Sequence, residues 1–320
     1  MAPGVSVILP FFNAEKTLSR AVSSIVDGEL QEFELLLVDN CSADNSLHIA
    51  REWSDKDLRI RILSEPRPGV MYASNTGVWN SKCRYVARMD ADDEAMPGRL
   101  RLQSEFLDRH PAYGAVGGMV DYCPDQPGRE GFRRYVEWCN SVRSYREIRD
   151  RCFVESPVVN PSAMWRREVF LRHGGYRDGT FPEDYELWLR WLDEGVRIDK
   201  VPEVVLRWHD SEDRLTRTDP RYSDEAFFRV KSRYLARWLA QYNPFHPSVV
   251  IWGAGRVSRK RVRILEKRGV EVTAFIDIKR TRQLDRKVIY FRDLPPPGEL
   301  FMLSYVRQWE KRDEVVDFLH

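Results

Sequence analysis

The sequence lacks any run of about 18 apolar residues, so no segment is expected to cross a bilayer as a helix. At its start there is no basic stretch followed by a long apolar one, and no secretory signal is read there. Cysteine is scarce: five in 320 residues, scattered at Cys41, Cys83, Cys123, Cys139 and Cys152, with no C-x-x-C pair. That argues against a disulfide framework or a zinc site and fits free thiols in a reducing compartment. An excess of one charge is also missing, since 51 Lys and Arg oppose 49 Asp and Glu for a net +2. No nucleic-acid partner is expected from such a balance. Arginine does cluster at 256–263 and 280–286. Anionic headgroups or an acidic surface could be held there, although a solvated basic face is the plainer reading. A cytoplasmic chain is expected, with peripheral association at the inner face of the membrane as its extension.

What is present is an ordinary globular composition. Hydrophobic residues make up 42% and charged residues 31%, enough for a core and a well-solvated surface. The length suits one large domain plus a small one. Val5-Ser-Val-Ile-Leu9 reads as a buried strand, followed by an amphipathic helix over 13–26 carrying Leu18, Ala21, Val22 and Ile25. Strands at 33–38, 60–63 and 85–89 alternate with helices at 46–53 and through Ala73 and Val78. This is the pattern of a doubly wound, mostly parallel α/β sheet. Ligands in such sheets bind beyond the carboxyl ends of the strands, where Asp39-Asn40 and Asp90-Ala-Asp92-Asp93 both fall. Beyond residue 110 the pattern is less regular: a polar-rich helical region over 133–151, a helix over 182–194 and a long helix over 221–242.

Three carboxylates within four residues repel one another unless a cation neutralises them, and hard oxygen ligands suit Mg²⁺ or Mn²⁺. The competing reading is a group of acids capping the helix that follows. Glu183-Asp184 opens the 182–194 helix, whose Leu187, Trp188, Trp191 and Leu192 form an apolar face. Acids in a first helical turn need no function to explain them.

Taken together, five segments resemble glycosyltransferase family 2 with its GT-A fold. They are Val5-Ser-Val-Ile-Leu-Pro-Phe-Phe-Asn-Ala-Glu15, Val38-Asp-Asn-Cys-Ser-Ala-Asp44, Met89-Asp-Ala-Asp-Asp-Glu-Ala-Met-Pro-Gly-Arg-Leu100, Gly174-Gly-Tyr176 and Pro182-Glu-Asp-Tyr-Glu-Leu-Trp-Leu-Arg190. The resemblance covers about the first 215 residues and implies a role for each matching position. Pro10, Asn13, Glu15, Asp39, Asn40, Asp90, Ala91, Arg99 and His209 would serve the nucleotide-sugar pocket. Asp92 and Asp90 match the D-x-D signature and would hold Mn²⁺ or Mg²⁺, with Asp93 beside them and His209 as a further candidate ligand. Asp184 matches the catalytic base of an inverting transfer. Asn40 stands where many relatives have a second Asp, which leaves dTDP or GDP open beside UDP as the donor nucleotide. Arg207 and Arg214 could contact phosphate or simply pair with acids, and Arg99 would buttress the aspartate loop. Trp138, Trp165, Trp188 and Trp191 invite a sugar-stacking reading, but at their helical spacing Trp188 and Trp191 are read as core rather than as sugar platforms.

A fresh α/β unit begins near residue 248: a strand, Gly253-Ala-Gly255, a helix, and a second strand ending at Asp277. This is the dinucleotide-binding layout with Ser258 in place of its third glycine. The expected organisation is therefore a GT-A domain over 1–215, a helical linker over 216–247 and a small Rossmann-like domain over 248–320. The expected activity is transfer of a sugar to a saccharide or lipid-linked acceptor hydroxyl, as in cell-surface polysaccharide synthesis. The alternatives are a non-catalytic nucleotide-sugar-binding or scaffold protein with a partner-recruiting C-terminal module and, less well matched to the chain's length, an NAD-dependent oxidoreductase.

Overall fold

The computed structural model describes residues 4–124, 130–210, 214–280, 285–306 and 308–319. The chain forms two compact units, Met1–Ser223 and Asp224–His320. In the first, the strands are β1 (Val5–Phe11), β2 (Phe33–Asp39), β3 (Ile60–Ser64), β4 (Tyr85–Arg88), β5 (Glu94–Ala95), β6 (Ala115–Pro124), β7 (Met164–Arg166) and β8 (Ile198–Asp210). They make one sheet in the order β3-β2-β1-β4-β7-β6-β8-β5. β1 runs parallel to β2 and β4, and β2 to β3, whereas β7 is antiparallel to both β4 and β6. The mixed, mostly parallel sheet agrees with the alternation read from the sequence.

Its helices are α1 (Leu18–Val26), α2 (Ser46–Lys56), α3 (Val70–Trp79), α4 (Arg99–Arg109), α5 (Glu130–Ser141), α6 (Tyr145–Arg151), α7 (Arg167–His173), α8 (Glu183–Asp193) and the short α9 (Leu215–Thr218). α1 buries Leu18, Ala21, Val22 and Ile25, the face that its periodicity selects. β1 is buried along its whole length because both faces of the sheet are covered. Val5, Val7 and Leu9 belong to the core under α1, while Ile8 faces the other side with Leu36, Val38 and the tryptophans. Gly77 lets α3 approach that second face: a Cβ there would lie 2.3 Å from Ile8 Cγ2. Trp188 and Trp191 are fully buried, so they are core, as their spacing suggests, and Trp165 is buried with them.

The polar stretch 133–151 is not one helix. Ser144 accepts from the Glu147 backbone while Glu147 accepts from the Ser144 N–H, a reciprocal cap that starts α6 afresh after α5 ends at Ser141. A loop is also expected over 124–131, which falls largely outside the described residues, as do residues 281–284 of the arginine cluster; its Arg280 and Arg286 pair with Asp293 and Glu266.

The second unit begins with α10 (Asp224–Tyr242), so the long helix falls in this unit. β9 (Ser248–Trp252), β10 (Glu271–Asp277), β11 (Lys287–Tyr290) and β12 (Met302–Ser304) form a parallel sheet in the order β11-β10-β9-β12. α11 (Arg256–Glu266) and α12 (Trp309–Leu319) complete it. The order equals that of the first four strands of a dinucleotide-binding sheet. Gly253, with φ of 110°, makes the turn between β9 and α11. Lys260 of α11 pairs with Glu225 of α10 at 2.5 Å, and Phe228 meets Tyr305 edge-on at 5.4 Å.

Candidate active site

Four strands of the first unit deliver polar residues to one rim. After β1 the backbone of Asn13 takes a positive φ of 48°, which an asparagine tolerates better than most residues. Its side chain accepts from Ala43 N at 2.8 Å, and Glu15 accepts from Asn45 N at 3.1 Å. These two residues pin the loop after β2. Pro10 is buried within β1, opposite Val38. Asp39 ends β2 and accepts from Ser42 N at 3.2 Å. Asn40 is fully engaged: its amide donates to the carbonyls of Glu65 and Arg67, and its oxygen accepts from Gly69 N at 2.8 Å. Its side chain therefore shapes the 65–69 loop. That loop carries Arg67, which lies 4.6 Å over the ring of Tyr72 and holds the Glu65 carboxyl down to about 2.

β4 leads straight into the aspartates. One oxygen of each of Asp90, Asp92 and Asp93 lies within 4.8 Å of the others. Two arginines, both buried, brace them from behind. Arg88 pairs with Asp90 at 2.6 Å, and Arg99 donates to the Arg88 carbonyl at 2.6 Å and to Gln103 at 3.3 Å. Arg99 thus buttresses the loop, and burial lowers its own pKa to about 10. Asp93 is fully buried, accepts from His209 N at 2.9 Å through Oδ1, and its Oδ2 has no partner among the described residues. Burial and then its neighbour Asp92 push its carboxyl far above the usual range. The Asp92 carboxyl is also raised, by burial first, even though Arg214 opposes the shift. The cluster therefore remains short of positive charge despite Arg88 and Arg214. A hard cation fits a three-oxygen set with an unused buried lone pair.

His209, at the end of β8, gives its ring to Glu94: Nε2 lies 2.6 Å from Oε1. It is beside the aspartates but not one of their converging group. Arg20 reaches the same place from α1, donating to the Asp92 carbonyl at 2.8 Å and lying 3.5 Å from Glu94. Thr17, Arg20, Asp92, Cys123, Pro124, His209 and Asp210 enclose a pocket of about 240 Å³. Arg207 pairs with Asp121 on the surface, whereas Arg214 stacks 4.3 Å over Trp208 and is held charged by Asp93, Asp92 and Asp90 against the cost of burial.

Asp184 sits in the first turn of α8. The helix is anchored by the buried pair Glu186–Arg190 at 3.1 Å. Arg190 also donates to the carbonyls of His173, Gly174 and Gly175. A Cβ on Gly175 would lie 2.1 Å from Phe170 and 2.5 Å from Asn75 Oδ1, so packing against those two side chains keeps this position bare. Burial, then Glu183, then Asp90 raise the Asp184 carboxyl to about 7, while the Tyr185 N–H opposes the shift. That Asp90 contributes places the two acid groups within one electrostatic field.

Comparison with known proteins decides the family. The profile of Glycosyl transferase family 2 matches residues 6–174. The chain belongs to that family. This glycosyltransferase is 26% identical over 242 residues to the O-antigen biosynthesis glycosyltransferase WbnJ of Escherichia coli, covering 73% of this chain and 89% of WbnJ. Two solved structures show the same GT-A fold. S. aureus TarS 1–349 in complex with UDP-GlcNAc matches with a TM-score of 0.60 at 17% identity, over 84% of this chain and 82% of that one. The mannosyltransferase PcManGT of Pyrobaculum calidifontis, in complex with GDP-Man and Mn²⁺, matches with a TM-score of 0.52 at 19% identity, over 75% and 64%.

Several residues around these acids escaped the sequence reading. Arg88 left a signal, since a charge inside the otherwise apolar Tyr85-Val-Ala-Arg-Met89 and next to three acids reads as a buried counter-ion. Glu94 follows Asp93 directly and was there to be read, whereas Arg20 and Tyr222 left no signal, because only the tertiary fold brings them to the acids.

Proposed function

We propose that the first unit catalyses an inverting, divalent-metal-dependent transfer from a nucleoside-diphosphate sugar to a saccharide or lipid-linked acceptor hydroxyl in cell-surface polysaccharide synthesis. UDP is the foremost donor nucleotide, with dTDP and GDP as alternatives. The observation that carries the reading is Asp184: a carboxyl raised to about 7, on an anchored helix start, sharing a field with the Asp90–Asp93 group. A base with a pKa near the working pH is half ionised there and still holds a proton well once it has taken it. Asp184 accepts the proton of the acceptor hydroxyl as that oxygen attacks the anomeric carbon. The bond to the diphosphate breaks on the opposite face, so the configuration inverts. Asp92, Asp90 and Asp93 would hold Mn²⁺ or Mg²⁺, which when bound supplies positive charge to the departing diphosphate. Arg20 and Arg214 add fixed cations beside it. Asp39 faces the nucleotide, and Asn40 acts on it through the 65–69 loop that it orders. The complexes of TarS and PcManGT, with uridine and guanosine donors respectively, support keeping both bases open.

Among the described residues no helix is long and apolar enough to cross a membrane. A cytoplasmic site of action, at the inner face of the membrane, is part of the proposal. The deciding experiment is a donor screen read by release of the free nucleoside diphosphate, with and without Mn²⁺ or Mg²⁺. Tight nucleotide-sugar binding with no metal-dependent turnover on any acceptor would favour the non-catalytic, scaffold reading instead.

A further inference from the structure

Glu183 precedes the base and is buried, yet it makes no ion pair shorter than 4 Å among the described residues. Its partner is a phenol. Tyr222, on the turn after α9, places its hydroxyl 2.8 Å and 2.7 Å from the two carboxylate oxygens of Glu183. A phenol has one proton, so it donates to one oxygen or is shared between both. Tyr222 is itself held by its neighbour: Arg221 is clamped to Asp219 at 2.6 Å and reaches Met71 Sδ. From this geometry we propose that Tyr222 is a positioning residue for the base, donating to Glu183 so that Glu183 ionises before Asp184 and the proton-accepting role falls to Asp184.

The physical reason is a competition between adjacent acids. Two neighbouring carboxylates in a poorly hydrated place do not both ionise easily, and the one with the better hydrogen bond to its charged form ionises first. Glu183 has that bond. Burial raises its carboxyl, and the Tyr222 hydroxyl is the foremost influence opposing the rise. Other groups also act on the pair. Arg221 and Arg88 favour an ionised Glu183; Asp90 and Glu183 itself disfavour an ionised Asp184. Tyr176, buried, and Tyr135, half-buried, are both held neutral and lie within electrostatic reach of Asp184. None of these except Tyr222 donates a side-chain hydrogen bond to Glu183 among the described contacts. An ionised Glu183 is then the charge that makes Asp184 a stronger base.

The inference rests on the proposed role of Asp184, and its test separates the two. Tyr222→Phe keeps the ring and removes the donor. Glu183 then keeps its proton to higher pH, Asp184 loses its charged neighbour, and the acidic limb of kcat/KM moves down by about one pH unit. The plateau falls several-fold, because a less basic carboxylate is a weaker proton acceptor, while the KM for the donor stays within about twofold. Glu183→Gln moves the limb the same way, and the double variant moves it no further than Glu183→Gln alone. A purely structural role would lower the plateau without moving the limb. A limb that stays put in Tyr222→Phe, or a double variant that adds the two shifts, overturns the inference. The same titration is read without turnover, by infrared difference spectra of the protonated carboxyl band that Asp184→Asn removes. That band must also titrate lower in Tyr222→Phe. If Asp184→Asn still transfers sugar, the proposed role of Asp184 fails. The infrared shift then still decides whether Tyr222 sets the order of ionisation.

Discussion

Two groups of acids share one electrostatic field, and the protein compensates them by different means. Asp90, Asp92 and Asp93 are faced by full cations, Arg88 and Arg214, and still hold an unused buried oxygen on Asp93. Glu183 and Asp184 are faced at close range by a neutral donor, Tyr222, and by a backbone N–H from Tyr185. The first arrangement holds the Asp92 and Asp93 carboxyls above their usual range and invites one more positive charge to ionise them fully. The second leaves a proton loosely held near neutrality. On the proposed roles, a site that stabilises charge and a site that exchanges a proton are distinguished by the hardness of their partners, not by their own residue types.

The sharpest way to break this comparison is to remove the extra positive charge. Chelation with EDTA should reduce nucleoside diphosphate release by about 10³-fold or more, and Mn²⁺ or Mg²⁺ should restore it. Full activity after exhaustive chelation would mean that the arginines suffice. Next comes the proton site: Asp184→Asn should lower kcat by about 10²–10⁴-fold while nucleotide binding, measured by calorimetry, persists. A variant that loses binding and turnover together would put Asp184 in the donor pocket instead.

The scaffold gives a smaller effect. Arg190→Met takes the buried cation from Glu186, which still has Arg177 at 3.3 Å, and removes the donor to three carbonyls, and should cost about 3–5 kcal/mol in urea unfolding. A loss under about 1 kcal/mol would show that α8 is held by its tryptophans alone. The pH profile is gentler still. With Asp184 near 7, kcat/KM should fall about tenfold for each unit below that pH. The smallest effect is on stability. The folded chain keeps the Asp184 proton up to about 7, whereas the unfolded chain releases it near 3.8. That contribution is complete below about 3.8 and is lost as the pH rises through 7. Asp184→Asn should therefore raise the melting temperature by a few degrees at pH 8 and by little at pH 5. An equal gain at both would leave the carboxyl unperturbed in the fold.

Much of this was legible in the residues themselves. β1, α1 and the alternation up to β4 followed from periodicity, because burial on one or both faces leaves a period in the chain. The aspartates were legible because neighbouring like charges need a reason. Asn40 was legible as a departure but not as a loop brace, since its partners at 65–69 lie a strand away. The division of 133–151 into two helices was missed although Ser144-x-x-Glu147 was there to be read.

The sequence by itself determined the family, the alternating sheet and the two sets of acids, since local period and local charge density are properties of adjacent residues. Only the tertiary structure decided how those acids behave. Arg88 beneath Asp90, His209 turned to Glu94, Arg190 under the double glycine and Tyr222 on Glu183 join residues far apart in the chain. Burial there removes the water that would otherwise make their charges independent of one another.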